Sequence, residues 1–279
     1  MKPISIIIPT WNQATLTENC LYALAEQSGF DFKVIWIDNG SDDLSHQRVL
    51  SCLQDGGFQF VYERHSKPLG YARAVNRGLR LFDGDYCVFL NNDVEVQAGW
   101  DVELIRTLEE SPGIAGPISL GGPLGWQSLH RHPWTGPAFT SQTIQGQVEQ
   151  LRAQWGQMAI DLPEHPTNPL FQNHVAFFCA AVSADVVQAI GALDEKFGWG
   201  YFEDNDYCAR ARRAGFDISF CPGSSVVHLG GQTLKELNDD HRQRVEHNAK
   251  YFQSKQHQAC DYIGFDSLPE SAPTAVSLI

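Results

Sequence analysis

Asp85-Tyr86-Cys87-Val88-Phe89-Leu90-Asn91-Asn92-Asp93 is a short apolar run that stops abruptly in two amides and a carboxylate. The run is rich in β-branched and aromatic residues and follows a turn signal at Gly84, so it reads as a buried strand whose end meets solvent. Ligands in open α/β sheets sit at such strand ends, and a carboxylate there suits a metal ion held against a phosphate. Asn and Asp also gather at strand ends simply to make turns. The tripeptide alone does not separate the two readings.

Working outward, strand and helix patterns alternate through the first 110 residues, the signature of a parallel sheet covered by helices. Strands are expected over Ile4 to Ile8, Lys33 to Ile37 and Phe58 to Tyr62, and helices over Ala14 to Gln27, Leu44 to Leu53 and Tyr71 to Leu81. From Ser119 to about Pro169 the chain turns rich in Gly, Pro, Gln, Trp and His with little periodicity, which reads as a surface excursion. Loops of that length are usually functional or mobile, so an acceptor-binding or lid segment and a spacer both fit. Order resumes with an apolar strand from His174 to Val182 and a short helix from Ala184 to Ile190. A helix from Glu203 to Ala214 is closed by Gly215. Short strands near 218–220 and 225–229, a helix from about Lys235 to Phe252 and a loosely held tail over 254–279 complete the chain.

Composition narrows the class. A chain of 279 residues with 43% hydrophobic and 19% charged residues can bury a sizeable core as one large domain. Its formal net charge of -13 argues against a general nucleic-acid binder, which needs a basic face for phosphates. Seven scattered cysteines without a Cys-x-x-Cys pair disfavour a thiolate zinc site or a disulfide framework. The N-terminus lacks a signal-peptide pattern and no run of about 18 apolar residues occurs, so a cytoplasmic location without a transmembrane segment is expected. Peripheral membrane association stays open.

Several residue groups could carry chemistry. Glu203-Asp204-Asn205-Asp206 opens a helix, where acidic residues complement the dipole in any case. Here they are flanked by Trp199, Tyr201 and Phe202, and a carboxylate beside aromatics is partly desolvated, which raises its pKa and improves it as a base. His228 ends a strand just before Gly230-Gly231, a place for a structural histidine or for a metal ligand close to a phosphate. Asp38 and Asp42 follow the second strand, where an acidic side chain can accept from a base or ribose, although Asn39-Gly40 is a turn signal whatever the function. Lys67, Gly70, Arg73 and Asn76 follow the third strand, and Arg73 at a helix start could pair with phosphate or remain solvated. Gly-x-Gly-x-x-Gly after the first strand, Gly-x-x-x-x-Gly-Lys-Ser/Thr and Gly-x-Ser-x-Gly are all absent, which disfavours hydride transfer, P-loop chemistry and serine hydrolysis.

Four segments in order resemble the inverting nucleotide-sugar glycosyltransferases of family 2, with a GT-A fold. They are Ser5-Ile6-Ile7-Ile8-Pro9-Thr10-Trp11-Asn12, Ile37-Asp38-Asn39-Gly40-Ser41-Asp42-Asp43, Phe89-Leu90-Asn91-Asn92-Asp93, and Tyr201-Phe202-Glu203-Asp204-Asn205-Asp206-Tyr207-Cys208 with His228 downstream. The resemblance spans about residues 3 to 232. It implies an α/β GT-A fold, a mostly parallel central sheet flanked by helices, with a nucleotide-sugar-binding half over 1–110 and an acceptor-binding half over 111–253. It further implies that Pro9, Thr10 and Asp38 line a nucleotide pocket with Arg73 and Asn76 nearby. Asn91-Asn92-Asp93 would be the Asp-x-Asp element at the donor diphosphate, with Asp93, Asn91 and His228 holding Mn²⁺ or Mg²⁺. Asn91 replaces the first carboxylate often found there.

By the same resemblance Asp204 is the general base, Glu203 beside it positions the acceptor, and Trp199 and Tyr201 face the acceptor sugar. Trp199 could equally be a core residue. The implied reaction moves a hexosyl or deoxyhexosyl group from a UDP- or dTDP-sugar to the hydroxyl of a glycan or lipid-linked glycan, in cell-surface polysaccharide or glycan synthesis. A GT-A-like nucleotidyltransferase is the alternative enzyme. It would favour a Gly-rich, Arg/Lys-containing loop after the first strand, where Pro9-Thr10-Trp11-Asn12 stands instead. A carbohydrate-binding relative without turnover is a third reading.

Overall fold

The computed structural model describes residues 3–120, 174–230, 241–255, 263–264 and 275–278. Nearly all of the irregular stretch expected over 119–170, the start of the helix expected from Lys235 and most of the tail lie outside the described residues. The first half alternates strictly: β1 (Ile4–Thr10), α1 (Ala14–Gln27), β2 (Phe32–Asp38), α2 (Ser45–Asp55), β3 (Phe60–Arg64), α3 (Tyr71–Arg80) and β4 (Tyr86–Leu90). Strand β1 is central and buried along its whole length, as a run of three isoleucines requires. It pairs in parallel with β2 on one side and β4 on the other, and β2 pairs in parallel with β3.

Because successive side chains on a strand point to opposite faces, β1 feeds two cores. Ile6 and Ile8 pack with Leu21 and Leu24 of α1 and Val49 and Leu53 of α2, whereas Ile7 packs with Ala72, Val75 and Leu79 of α3. Helix α3 comes so close to β1 that a Cβ on Gly78 would lie 2.3 Å from Ile7 Cγ2. A glycine is what that approach demands.

The remaining elements are β5 (Val94–Val96), α4 (Trp100–Glu110), β6 (Gly113–Ser119), β7 (Cys179–Ser183), α5 (Ala184–Ile190), α6 (Glu203–Arg213), β8 (Asp217–His228), α7 (His241–Lys255) and β9 (Ala275–Leu278). Among the described residues nine strands form one sheet in the order β5-β8-β6-β7-β4-β1-β2-β3-β9. Strand β7 runs antiparallel to both β4 and β6, which joins the parallel first half to the parallel β6-β8 pair.

Several elements differ from expectation. β5, α4 and β6 are absent from the sequence reading, although Trp100, Leu104, Ile105 and Leu108 form a buried helical stripe. The strand expected from His174 begins only at Cys179, after an irregular stretch that ends in a turn at Phe177 and Phe178. The two short strands expected near 218 and 225 are one strand interrupted by a bulge opposite Pro117 and Ile118. The tail is not loose throughout, since β9 pairs antiparallel with β3 and covers that sheet edge.

Candidate active site

The parallel arrangement of β1, β2 and β4 brings their C-terminal ends, at Thr10, Asp38 and Leu90, to one rim of the sheet. Beyond β4 the chain makes a short turn through Asn91 and Asn92 and enters β5, whose Val94 stands opposite His228 of β8. That register sets Asp93 beside His228: the carboxylate Oδ1 lies 3.3 Å from imidazole Nε2, and the Leu229 N–H donates to the Asp93 carbonyl at 3.0 Å. The imidazole is stacked on Phe178, with ring centroids 4.8 Å apart and planes 18° from parallel. Phe178 also accepts the Asn91 N–H through its carbonyl at 2.9 Å. A carboxylate oxygen and an imidazole nitrogen at this distance fit a divalent cation such as Mn²⁺. Among the described residues no group of three His, Cys, Asp or Glu converges on one point. The described residues therefore offer two such donors here, and further oxygen ligands would have to complete a coordination shell.

The second part of the site is the start of α6. Glu203 is 7% exposed, and its Oε2 has no hydrogen-bond partner. Burial pushes its carboxyl up to about 8, and the charge of Asp204 adds to the rise. Asp204 is half-buried and is raised too, first by burial, but His174 and the backbone N–H groups of Asn205 and Phe177 favour its charged form. The Asn205 N–H donates to Asp204 Oδ1 at 2.7 Å. Both carboxyls are thus held above the ordinary carboxylate range, Glu203 by burial and then by the charge of Asp204, Asp204 by burial against opposing contacts.

Glu203 binds its proton more tightly in the folded chain than in the unfolded one, so its contribution to stability is fully present below the ordinary glutamate range and is lost as pH rises through about 8. Glu203→Gln removes this dependence. Unfolding free energies from urea titrations at about pH 5 and about pH 8 should show the wild type losing more stability over this window than the variant, a difference on the order of a few kcal/mol.

Loops join the two parts. Tyr71 at the start of α3 donates from its hydroxyl to the Phe177 carbonyl at 2.7 Å, and its phenol is pushed well up by burial and then by the charges of Glu203, Asp204 and, more weakly, Asp93. Trp199 is half-buried against Trp11 of the β1–α1 loop, with ring centroids 5.4 Å apart. Asn12 and Gln13 in that loop have left-handed backbones, at φ 55° and 62°. The Asn12 N–H donates to Ser41 Oγ at 2.9 Å, which ties the loop to the end of β2. Tyr201, two residues from both Trp199 and Glu203 in sequence, is half-buried.

Four expected donor-site residues have partners within the fold. Asp38 is fully buried, and its carboxylate accepts the Ser41 N–H at 3.0 Å, meets His46 Nδ1 at 3.0 Å and lies 3.3 Å from Arg64 Nε, so it holds the β2–α2 turn together. Asn76 is 1% exposed and exchanges two hydrogen bonds with the Leu193 main chain, at 2.8 and 2.9 Å. Arg73 pairs with Glu195 at 3.0 Å. Asn92 is buried and its amide donates to Thr17 Oγ1 at 3.1 Å. Pro9 and Thr10 are buried within β1, and Thr10 Oγ1 accepts the Trp36 indole N–H at 2.8 Å. Asn91 is half-buried at the strand end. Sequence reading missed Phe178, Tyr71 and His174. Only their apolar or helix-start context was visible, and nothing in it marked them as neighbours of the carboxylates.

The family described as glycosyl transferase family 2 matches residues 5–161, more than half of the chain, including β1 to β6 and the Asn91-Asn92-Asp93 turn. The chain belongs to glycosyl transferase family 2. This family 2 member is 33% identical over 135 residues to validoxylamine A glucosyltransferase from Streptomyces hygroscopicus subsp. jinggangensis, an alignment of 47% of this chain and 31% of that protein. It is 22% identical to the uncharacterized protein y4gI of Sinorhizobium fredii, over 81% of this chain and 24% of that one. The chain thus spans about a quarter to a third of the length of these relatives.

Among solved structures, S. aureus TarS 1–349 in complex with UDP-GlcNAc superimposes with a TM-score of 0.60 at 12% identity, over 92% of this chain and 67% of that one. The mannosyltransferase PcManGT from Pyrobaculum calidifontis, in complex with GDP-Man and Mn²⁺, gives 0.58 at 13% identity, over 92% and 70%. At these identities the likeness is one of fold, and the fold of this family 2 member is GT-A. Among its described residues no helix is long and apolar enough to cross a membrane.

Proposed function

We propose that the protein transfers a sugar from a nucleoside diphosphate sugar to an acceptor hydroxyl with inversion at the anomeric carbon. The observation that carries this reading is the pairing of β5 with β8, which sets Asp93 3.3 Å from His228, together with the half-buried Asp204 at the start of α6. Asp204 takes the acceptor hydroxyl's proton while that oxygen attacks the anomeric carbon from the face opposite the diphosphate. The bond from carbon to the leaving oxygen breaks, and the nucleoside diphosphate departs with the electron pair. Protonated Glu203 donates a hydrogen bond to the acceptor, and the half-buried Trp199 and Tyr201 shape its sugar face. Asp93 and His228 would hold Mn²⁺ or Mg²⁺, which when bound neutralises charge developing on the leaving diphosphate. Asn91 supplies an amide oxygen where a second carboxylate would bind more tightly.

A glycan or lipid-linked glycan of the cell surface suits this chemistry as acceptor, with the protein acting in the cytoplasm where nucleotide sugars are made. The complexes of the structural neighbours contain GDP-Man and UDP-GlcNAc. The donor test therefore uses GDP-, UDP- and dTDP-sugars with Mn²⁺, following nucleoside diphosphate release. Release from one nucleotide class is expected, and release from none in the presence of a glycan acceptor panel would refute a transferase in favour of a binding protein.

A further inference from the structure

Helix α7 lies outside the residues matched by the family, and one of its stripes is spent on a single loop. Asn248, 2% exposed, donates through its side-chain amide to the carbonyls of Phe197 at 2.9 Å, Gly200 at 2.9 Å and Tyr201 at 3.0 Å. Further along α7, the Tyr251 hydroxyl donates to Asp194 Oδ2 at 2.8 Å, and Phe252 meets Phe202 with ring centroids 5.7 Å apart. Lys255 Nζ lies 2.6 Å from Asp194 Oδ2 and 2.7 Å from Asp206 Oδ1. Positions 248, 251, 252 and 255 follow the helical repeat and so share one face.

The loop under that face is strained. Gly198, Gly200, Tyr201 and Phe202 all have positive φ, and the two aromatic residues sit at 72° each. Non-glycine residues rarely adopt this conformation, and two in succession persist only where their surroundings hold them. Here the three loop carbonyls turn inward onto one buried amide. The strained pair directly precedes Glu203 and Asp204, so its backbone angles set where both carboxyls leave the chain.

We propose that α7 is a clamp on the acceptor side of the site and that Asn248 is a positioning residue. By holding Tyr201 and Phe202 in the left-handed conformation, it aims Glu203, Asp204 and Trp199 at the acceptor. This role rests on the reading of Glu203 and Asp204 given above.

The test compares the wild type with Asn248→Ala, which removes all three hydrogen bonds, and with Asn248→Ser, which keeps one donor. Backbone amides of residues 198–206 should exchange with solvent at least tenfold faster in Asn248→Ala and to an intermediate degree in Asn248→Ser. Amides of β1 to β4, and the thermal shift produced by GDP or UDP with Mn²⁺, should match the wild type. Carbon-13 titration should find the Glu203 carboxyl near 8 in the wild type and lower in Asn248→Ala, as water reaches the buried carboxyl once the loop before it loosens. With the donor class found by the panel, kcat should fall at least tenfold and the donor KM stay unchanged.

Unchanged loop exchange and an unchanged Glu203 titration would overturn the clamp while leaving the transferase reading in place. Faster exchange throughout β1 to β4 would assign Asn248 a merely structural role and also overturn it. Should Asn248→Ala fail to fold, Asn248→Ser supplies the same readouts. A wild type that binds no nucleotide would overturn the transferase reading, and with it the clamp's role in aiming these carboxyls, whatever the loop does.

Discussion

Asp204→Asn should lower the rate of sugar transfer by about 10²- to 10⁴-fold, the usual worth of a positioned general base, while nucleoside diphosphate binding is unchanged. The amide is the same size as the carboxylate, and its oxygen can still accept the Asn205 N–H that now bonds Oδ1 at 2.7 Å. That end of the turn is therefore kept, while the Phe177 N–H, which also favours the carboxylate, faces one acceptor oxygen fewer. What disappears is the proton acceptor and one negative charge. Loss of that charge lowers the Glu203 pKa, since Asp204 is part of what raises it. A residual rate with a pH dependence set by Glu203 is therefore expected. Steady-state rates across pH check this, and near-normal turnover in the variant would remove Asp204 from the base role.

Asp93→Ala should cost about 10²- to 10³-fold in rate, comparable to removing a preorganised group from a site of developing charge, and should abolish the response of the rate to Mn²⁺. The carboxylate is the anionic donor of the pair, and without it His228 is left as a neutral nitrogen ligand. His228→Ala should be milder for that reason, and it also unstacks Phe178, whose ring lies 4.8 Å from the imidazole. Asn91→Asp acts in the opposite direction. A second hard oxygen anion beside Asp93 should reduce the Mn²⁺ concentration that gives half the maximal rate. Rates followed over a Mn²⁺ titration separate these cases. An Asp93→Ala variant with an undiminished Mn²⁺ response would place the metal elsewhere or remove it from the reaction.

The alternating first half was legible because its signals are local. Ile4 to Ile8, the helix at Ala14 and the apolar run ending at Leu90 each carry their own period and their own turn residues. β5 was not legible, because a three-residue strand has no period of its own and exists through its pairing with β8. That same pairing brings Asp93 and His228 together across a long separation in sequence, so their proximity could be expected from a family resemblance but not from spacing.

The partners of the polar residues after β2 and β3 were not legible either. Asp38 and Asn76 have side chains suited to ligands, yet each meets a nearer demand: Asp38 the turn at Ser41, His46 and Arg64, Asn76 the main chain of Leu193. A buried polar group is satisfied within the protein first. Conversely, Glu203 carries a buried oxygen without a partner, a feature that no sequence pattern displays and that the fold alone exposes.

Calorimetric titration of GDP, UDP and dTDP into the wild-type protein, with and without Mn²⁺, bears most directly on a nucleotide-sugar site at the end of β4. One nucleoside diphosphate should bind more tightly in Mn²⁺ than in its absence, and that gain should vanish in Asp93→Ala. Failure of all three to bind in either condition would contradict the assignment of a donor site to this strand end.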